Sequence, residues 1–202
     1  MTISYAVTVW NELEYIKNLL PFLLKNKREE DEVVVRWDES GPQEVWDYLL
    51  SLEGVSLGKG PFYNDFARWK NNLNSQCTKD YIFQIDADEM LDEYVIRLLP
   101  QVLEMNEVEL LAVPRINTVE GLTENHIQKW RWNVNEKGWI NFPDYQSRVY
   151  KNDPRIRWYG EVHEKIIGHS TFAAMPTDPE WCLLHHKEIE RQEKQNNFYN
   201  TI

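Results

Sequence analysis

The chain has 202 residues, with 22 Lys and Arg against 33 Asp and Glu, for a net charge of −11. That excess of acid speaks against non-specific binding to nucleic acid or anionic membrane and leaves room only for a local basic pocket that holds a phosphate. A content of 42% hydrophobic and 13% aromatic residues excludes a disordered chain, and the length suits one domain with a sizeable core.

"MTISYAVTVWNELEYIKNLL" has no basic leader, and its apolar runs are too short for a signal or transmembrane helix, so a cytoplasmic protein is expected. Within it, residues 3–9 are β-rich and mostly apolar, the pattern of a strand covered on both faces. Leu13, Ile16, Leu19, Leu20 and Leu23 then mark one face of a helix running to about Lys27. A second strand is expected at 32–37, followed by "DESGP" as a breaker and a helix carrying Val45, Trp46, Leu49 and Leu50. Residues 54–58 read as a short strand, and 64–77 as a helix with Asn64 as its N-cap. "YIFQI" is the fourth strand. Beyond it come Asp86, Asp88 and Glu89, a helix over "EYVIRLLPQVLEM", and a strand at 109–116.

Four alternations of strand and helix predict a mostly parallel sheet with helices on both faces, so residues 1–116 read as a nucleotide-binding half. From residue 117 the alternation fails. The aromatic, turn-rich "WRWNVNEKGWINFPDYQSRVY" reads as an irregular lobe, making 117–202 a site-completing half of the same domain. "HHKEIERQEKQNNFYNTI" reads either as a solvated helix that ends the protein or as the edge of a domain in a longer, multidomain chain, the second being the expectation. Cys77 and Cys182 lie far apart without metal spacing, which fits free thiols in a reducing compartment.

In open parallel sheets, ligands sit beyond the carboxyl ends of the strands. Three expected strand ends put polar groups there: Asn11 and Glu12, then Asp38 and Glu39, then Asp86 and Asp88 with Ala87 between them. Two carboxylates at that spacing suit Mg²⁺ or Mn²⁺, with phosphate oxygens filling the rest of the shell. The competing reading is that these acids open the next helix, where they suit its dipole.

"SYAVTVWNELEYI", "NDFARWKNNLNSQCTKDYIFQIDADEML" and "QSRVYKNDPRIRWYGEVHEKI" together resemble the family 2 glycosyltransferases. The resemblance implies a GT-A fold, a nucleotide-diphosphate sugar donor (a UDP-sugar), a divalent metal, a glycan acceptor and inversion at the anomeric carbon. It also implies roles. The backbone of Val7, Thr8 and Val9 borders the nucleoside, and Asp38 holds it, although "WDESG" departs from the usual pair of Asp before Gly-Ser. Asn11 and Glu12 match the pair after the first strand, and Arg68 the helix arginine near the diphosphate. Asp88 is the direct metal ligand, with Asp86 closer to the ribose. A carboxylate base is needed to take the acceptor proton. The family's acidic pair is His163-Glu164 here, so Glu164 is the expected base, ahead of Glu161 and Asp144.

His185 is expected to complete the metal shell, against the alternative that it starts a helix. His163 is weighed equally between ligand and structural group, while His126 and His169 read as surface residues. Trp130, Trp132, Trp139 and Trp158 lie where an acceptor would bind, and one or two of them are expected to stack on sugar. Arg115, Arg131 and Arg148 could guide phosphate or pair with acids, and each is expected first on a solvated face. Two other functions compete: an inactive sugar- or protein-binding module of this fold, and a nucleotidyltransferase. The second would want a glycine-rich basic loop after the first strand, and "VWNELEY" offers none.

Overall fold

The computed structural model describes the backbone of residues 1–199 and the side chains of residues 1–194. The first half follows the expected alternation: β1 (Ile3–Val9), α1 (Leu13–Asn26), β2 (Glu32–Asp38), α2 (Gln43–Leu50), β3 (Val55–Gly60), α3 (Phe66–Asn74) and β4 (Tyr81–Asp86). β1 pairs in parallel with β2 and β4, and β2 with β3. β1 is mostly apolar and buried along nearly its whole length because both of its faces are covered. Ile3, Tyr5 and Val7 pack with Ile16, Leu20 and Val45 of α1 and α2, while Ala6 on the other face packs with Ala67 and Leu73 of α3.

The acids after β4 do not open a helix. Glu89–Met90 form a two-residue strand, β5, and α4 (Glu93–Asn106) starts later, with the Asp92 carboxylate accepting from the Tyr94 N–H. The N-cap of α3 is Asp65, which accepts from the Arg68 N–H; Asn64, expected in that place, is one residue earlier in the left-handed region with φ 56°.

The second half is less separate than the sequence implies. β6 (Leu110–Glu120) continues past residue 116, α5 (Glu124–Trp130) follows, and β7 (Ile140–Lys151) returns through the centre of the sheet. The strand order is β3-β2-β1-β4-β7-β6-β11-β5, with β10 (Phe172–Ala174) beside β6 and β11 spanning Leu183–Glu188. β7 runs antiparallel to β4 and β6, and β11 runs parallel to β6. The expected irregular lobe therefore shrinks to the α5 arm, which buries no residue, and to the hairpin β8 (Arg157–Tyr159) and β9 (Lys165–Ile167).

That hairpin packs on α3 through buried Trp158, and the Phe66 N–H donates to the Glu161 carbonyl at 3.0 Å. Beyond β9, Gly168 has φ 90°, and a Cβ there would lie 1.8 Å from the Arg155 carbonyl oxygen, so only glycine fits. α6 (Ile189–Tyr199) closes the described chain. It starts four residues after His185, which lies on β11, and residues 200–202 of the expected terminal helix lie outside the description. Among the described residues, no helix is long and apolar enough to cross a membrane.

Candidate functional site

The rim acids meet a set of cations that the later strands supply. Glu89 has a fully enclosed side chain and accepts from Arg115 at 3.0 Å and from Arg148 at 2.6 Å, while its other oxygen accepts from the Asp86 N–H at 3.0 Å. Arg148 also donates to the Asp86 carboxylate, and the Lys70 ammonium stands 3.9 Å from it. Burial pushes the Asp86 carboxyl up, but the charges of Arg148 and Lys70 outweigh it and hold it well below the usual carboxylate range. Arg115 and Arg148 are therefore acid-paired inside the molecule. Arg131, by contrast, is exposed at the end of α5.

Asp88 and His185 meet because β5 pairs with β11, with His185 in register with Glu89. Strand alternation turns Leu183, His185 and Lys187 inward and leaves Leu184, His186 and Glu188 outward. His185 Nε2 stands 3.4 Å from the Asp88 carboxylate, and His185 Nδ1 lies 2.7 Å from Asn117 Oδ1. The Asn117 amide is oriented by its own donation to Asp144 at 2.9 Å, so its oxygen faces the imidazole. Nδ1 therefore faces the Asn117 oxygen, and Nε2 faces the Asp88 carboxylate. The pair offers a cation one carboxylate and one imidazole nitrogen, and an outer hydrogen bond of this kind commonly orients a metal-ligating histidine.

Asp88 and His185 thus fit a hard divalent ion as two protein ligands, with phosphate oxygens and water for the rest. Among the described residues, no group of three or more His, Cys, Asp or Glu could hold a metal unaided. Burial pushes the Asp88 carboxyl up, yet the hydrogen bond and charge of His185, with Lys187, hold it at about 2. Lys187 is buried, and that burial moves its ammonium below its ordinary value despite the opposing charge of Asp88.

Arg191, on α6, donates to Asp88 at 3.1 Å, lies 3.7 Å from Glu12 and stacks 4.5 Å from the centre of the Tyr15 ring. Glu12 closes the turn after β1 by accepting from the N–H groups of Trp10 and Asn11, at 2.8 and 3.0 Å. Burial raises its carboxyl more than those bonds and Arg191 lower it. Beside this turn, buried Asp38 accepts from the Ser40 N–H at 3.1 Å. Gly41 lies so close to the Trp10 carbonyl oxygen that a Cβ would stand 2.3 Å from it. Val7 and Val9 bury their side chains, Thr8 is half-buried in register with Asp86, and Asn11 is exposed.

Of the base candidates, Glu164 accepts from Lys70 at 2.8 Å, in the turn between β8 and β9. Asp144 accepts from Arg115, Asn117 and Gln146 at once. Its carboxyl is raised by burial but lowered further by Arg115 and these donors, to a net position below the ordinary value. Glu161 and His163 are exposed in the same turn as Glu164, with His163 at φ 55°.

Two expected placements change. Arg68 is exposed, stacks 4.7 Å from the centre of the Tyr63 ring and lines an outer cleft with Arg157 and Tyr159; it is Lys70, two positions on, that reaches Asp86. Ala67, Lys70 and Leu73 share the buried face of α3, and Arg68 lies off it. Trp158 is 4% exposed, donates from Nε1 to the Tyr150 hydroxyl at 3.0 Å and lies under Lys70, so it is a core group and no sugar platform. Trp130 and Trp132 remain half-exposed on the α5 arm, their ring centres 4.6 Å apart, with His126 stacked on Trp130. Sequence reasoning missed Lys70, Asn117, Lys187 and Arg191.

Over 172 residues the chain is 22% identical to the SPbeta prophage-derived glycosyltransferase SunS of Bacillus subtilis strain 168, covering 84% of this chain and 36% of SunS. The glycosyltransferase SunS of Bacillus phage SPbeta matches over the same extent. Among solved structures, residues 1–349 of S. aureus TarS in complex with UDP-GlcNAc superpose with a TM-score of 0.64 at 15% identity, over 93% of this chain and 59% of that one. The UDP complex of the same fragment also gives 0.64, at 14% identity over 92% and 60%. These likenesses establish a GT-A fold, and the chain spans well under two thirds of these relatives. A family model described as Glycosyl transferase family 2 matches residues 4–184, and this chain belongs to that family.

Proposed function

We propose that the protein transfers a sugar from a nucleotide-diphosphate donor, a UDP-sugar, to a glycan hydroxyl with inversion, using Mn²⁺ or Mg²⁺. The observation that carries this reading is the His185 imidazole, held by Asn117 with its Nε2 aimed at Asp88, beyond the carboxyl end of β4. Membership of the family and the TarS complexes with UDP and UDP-GlcNAc support the donor class. A module that only binds sugar has no need for such a polarised pair, and the turn after β1 has no glycine-rich loop to seat a triphosphate.

Asp88 and His185 would hold the metal, which when bound stabilises charge on the leaving diphosphate. Asp38 and the turn at Trp10–Glu12 seat the nucleoside, and Asp86, kept ionised by Arg148 and Lys70, faces the ribose. Lys70 adds a fixed positive charge beside the diphosphate. Glu164 takes the proton of the acceptor hydroxyl. The acceptor oxygen forms its bond to the anomeric carbon from the face opposite the diphosphate, which departs with the electron pair of the broken bond. Glu164 suits this task better than Asp144, whose oxygens are already occupied by three donors. Trp130 and Trp132, on the arm beside the site, offer faces for an acceptor sugar.

Calorimetric titration with UDP, with and without Mn²⁺, tests the reading. Binding is expected to need the ion, and Asp88→Asn should abolish the ion dependence while leaving the melting temperature close to that of the wild type. UDP binding that ignores Mn²⁺, or none at all, would leave only the binding-module alternative.

A further inference from the structure

α6 is tied to both sides of the site. Ile189 packs within 3.6 Å of where a Cβ on Gly121 would stand, His126 on the α5 arm lies 3.6 Å from Glu193, and Arg191 reaches inward to the rim. The Arg191 guanidinium contacts Asp88, the acid that would ligate the metal, and Glu12 on the turn after β1. Asp88 offers the same oxygen, Oδ2, to Arg191 and to His185. One carboxylate oxygen cannot donate its charge fully to a guanidinium and to a divalent ion at once. The Arg191 side chain is about one third exposed and rests on the Tyr15 ring, so its displacement would uncover no core.

We propose that Arg191 is a resident counter-ion of the metal centre: it neutralises Asp88 and Glu12 in the empty enzyme, and it passes to the diphosphate when metal and nucleotide arrive together. This inference rests on the metal-centre reading above. The consequence is ordered loading. Metal alone must displace the arginine from Asp88 and leave it only the longer contact with Glu12, whereas metal with nucleotide brings phosphate oxygens that take the guanidinium in turn. Metal affinity is then weak before nucleotide binds and strong after. Reciprocally, the ion raises nucleotide affinity by the same factor.

The test measures free Mn²⁺ by electron paramagnetic resonance during titration of the intact protein, with and without UDP. Without UDP, Arg191→Gln should bind Mn²⁺ about fivefold more tightly than wild type, the factor expected for loss of one partly exposed competing ion pair. Arg191→Lys should restore most of the wild-type weakness, because it keeps the competing charge. With UDP present, the gap between wild type and Arg191→Gln should close. Amide exchange over residues 189–194 should also rise when Mn²⁺ and UDP bind together. Equal Mn²⁺ affinity of wild type and Arg191→Gln without UDP would overturn the inference, and so would a gap that UDP leaves unchanged; both results leave the metal centre standing. Absence of Mn²⁺ binding to either protein even with UDP would overturn the metal centre and this inference together.

Discussion

Glu89→Gln removes the one carboxylate that joins two strand-borne arginines. Its side chain has no exposed surface, and it accepts from both Arg115 and Arg148 while receiving the Asp86 N–H. An amide of the same shape can accept through its oxygen, but it turns an NH₂ toward another donor and leaves a buried guanidinium without full compensation. Breaking a buried ion pair from one side costs about 3–5 kcal/mol. The lower figure applies because Arg148 keeps Asp86 and Arg115 keeps Asp144. With an unfolding entropy of about 2.1 cal/mol/K per residue, this chain loses roughly 0.42 kcal/mol per degree, so about 3 kcal/mol lowers the melting temperature by about 7 °C. Calorimetric melts of wild type and variant, each without ligand, measure the shift. A fall of less than about 2 °C would mean that the arginines are held by Asp86 and Asp144 alone, which would refute the assigned role of Glu89 in joining them.

Glu164→Gln should retain Mn²⁺-dependent UDP binding yet lose turnover by about 10²–10⁴-fold, read by release of UDP from a donor; near-normal turnover would move the base to Asp144. Lys70→Met should weaken UDP binding about tenfold or more by removing a charged contact, while Arg68→Ala should change it less than about twofold, which separates the two cations by calorimetry. Both thiols should resist an aromatic disulfide reagent at pH 8 until the protein unfolds, because burial pushes Cys77 to about 12 and Cys182 to about 11. The sign follows from those raised values. The folded state keeps its thiol protons above the pH at which the unfolded chain releases them, so stability from these groups is intact below about pH 8.5 and falls as pH rises toward 11–12.

Much of the first half was legible because its periodicities are clean. Mostly apolar runs at β1, β2 and β4 and the stripe Ile16, Leu19, Leu20 and Leu23 of α1 leave one reading each. β7 was illegible for the opposite reason. Pro143, Asp144, Gln146 and Ser147 interrupt it, and apart from Ile140 at its start only Arg148, Val149 and Tyr150 near its end are buried. No local pattern announces that such a segment threads the middle of a sheet. For Lys70 the signal was present: a lysine at the i+3 position between Ala67 and Leu73 falls on an apolar stripe, which a solvated lysine would not. Lys187 gave the same signal on a strand, two residues beyond His185 on the inward side. Pairing of β5 with β11 depends on contacts between residues almost a hundred positions apart, and single-sequence periodicity carries none of that information.

The late arrival of β11 bears on how the molecule comes to exist. Asp88 and the imidazole facing it are separated by 97 positions, and the strand carrying the second lies between β6 and β5. A ribosome exposes the first group long before the second. The growing polypeptide therefore passes through a stage with β1 to β4 placed but Asp88 still without its imidazole, and on the proposed reading the ion clasp waits until β11 slots home.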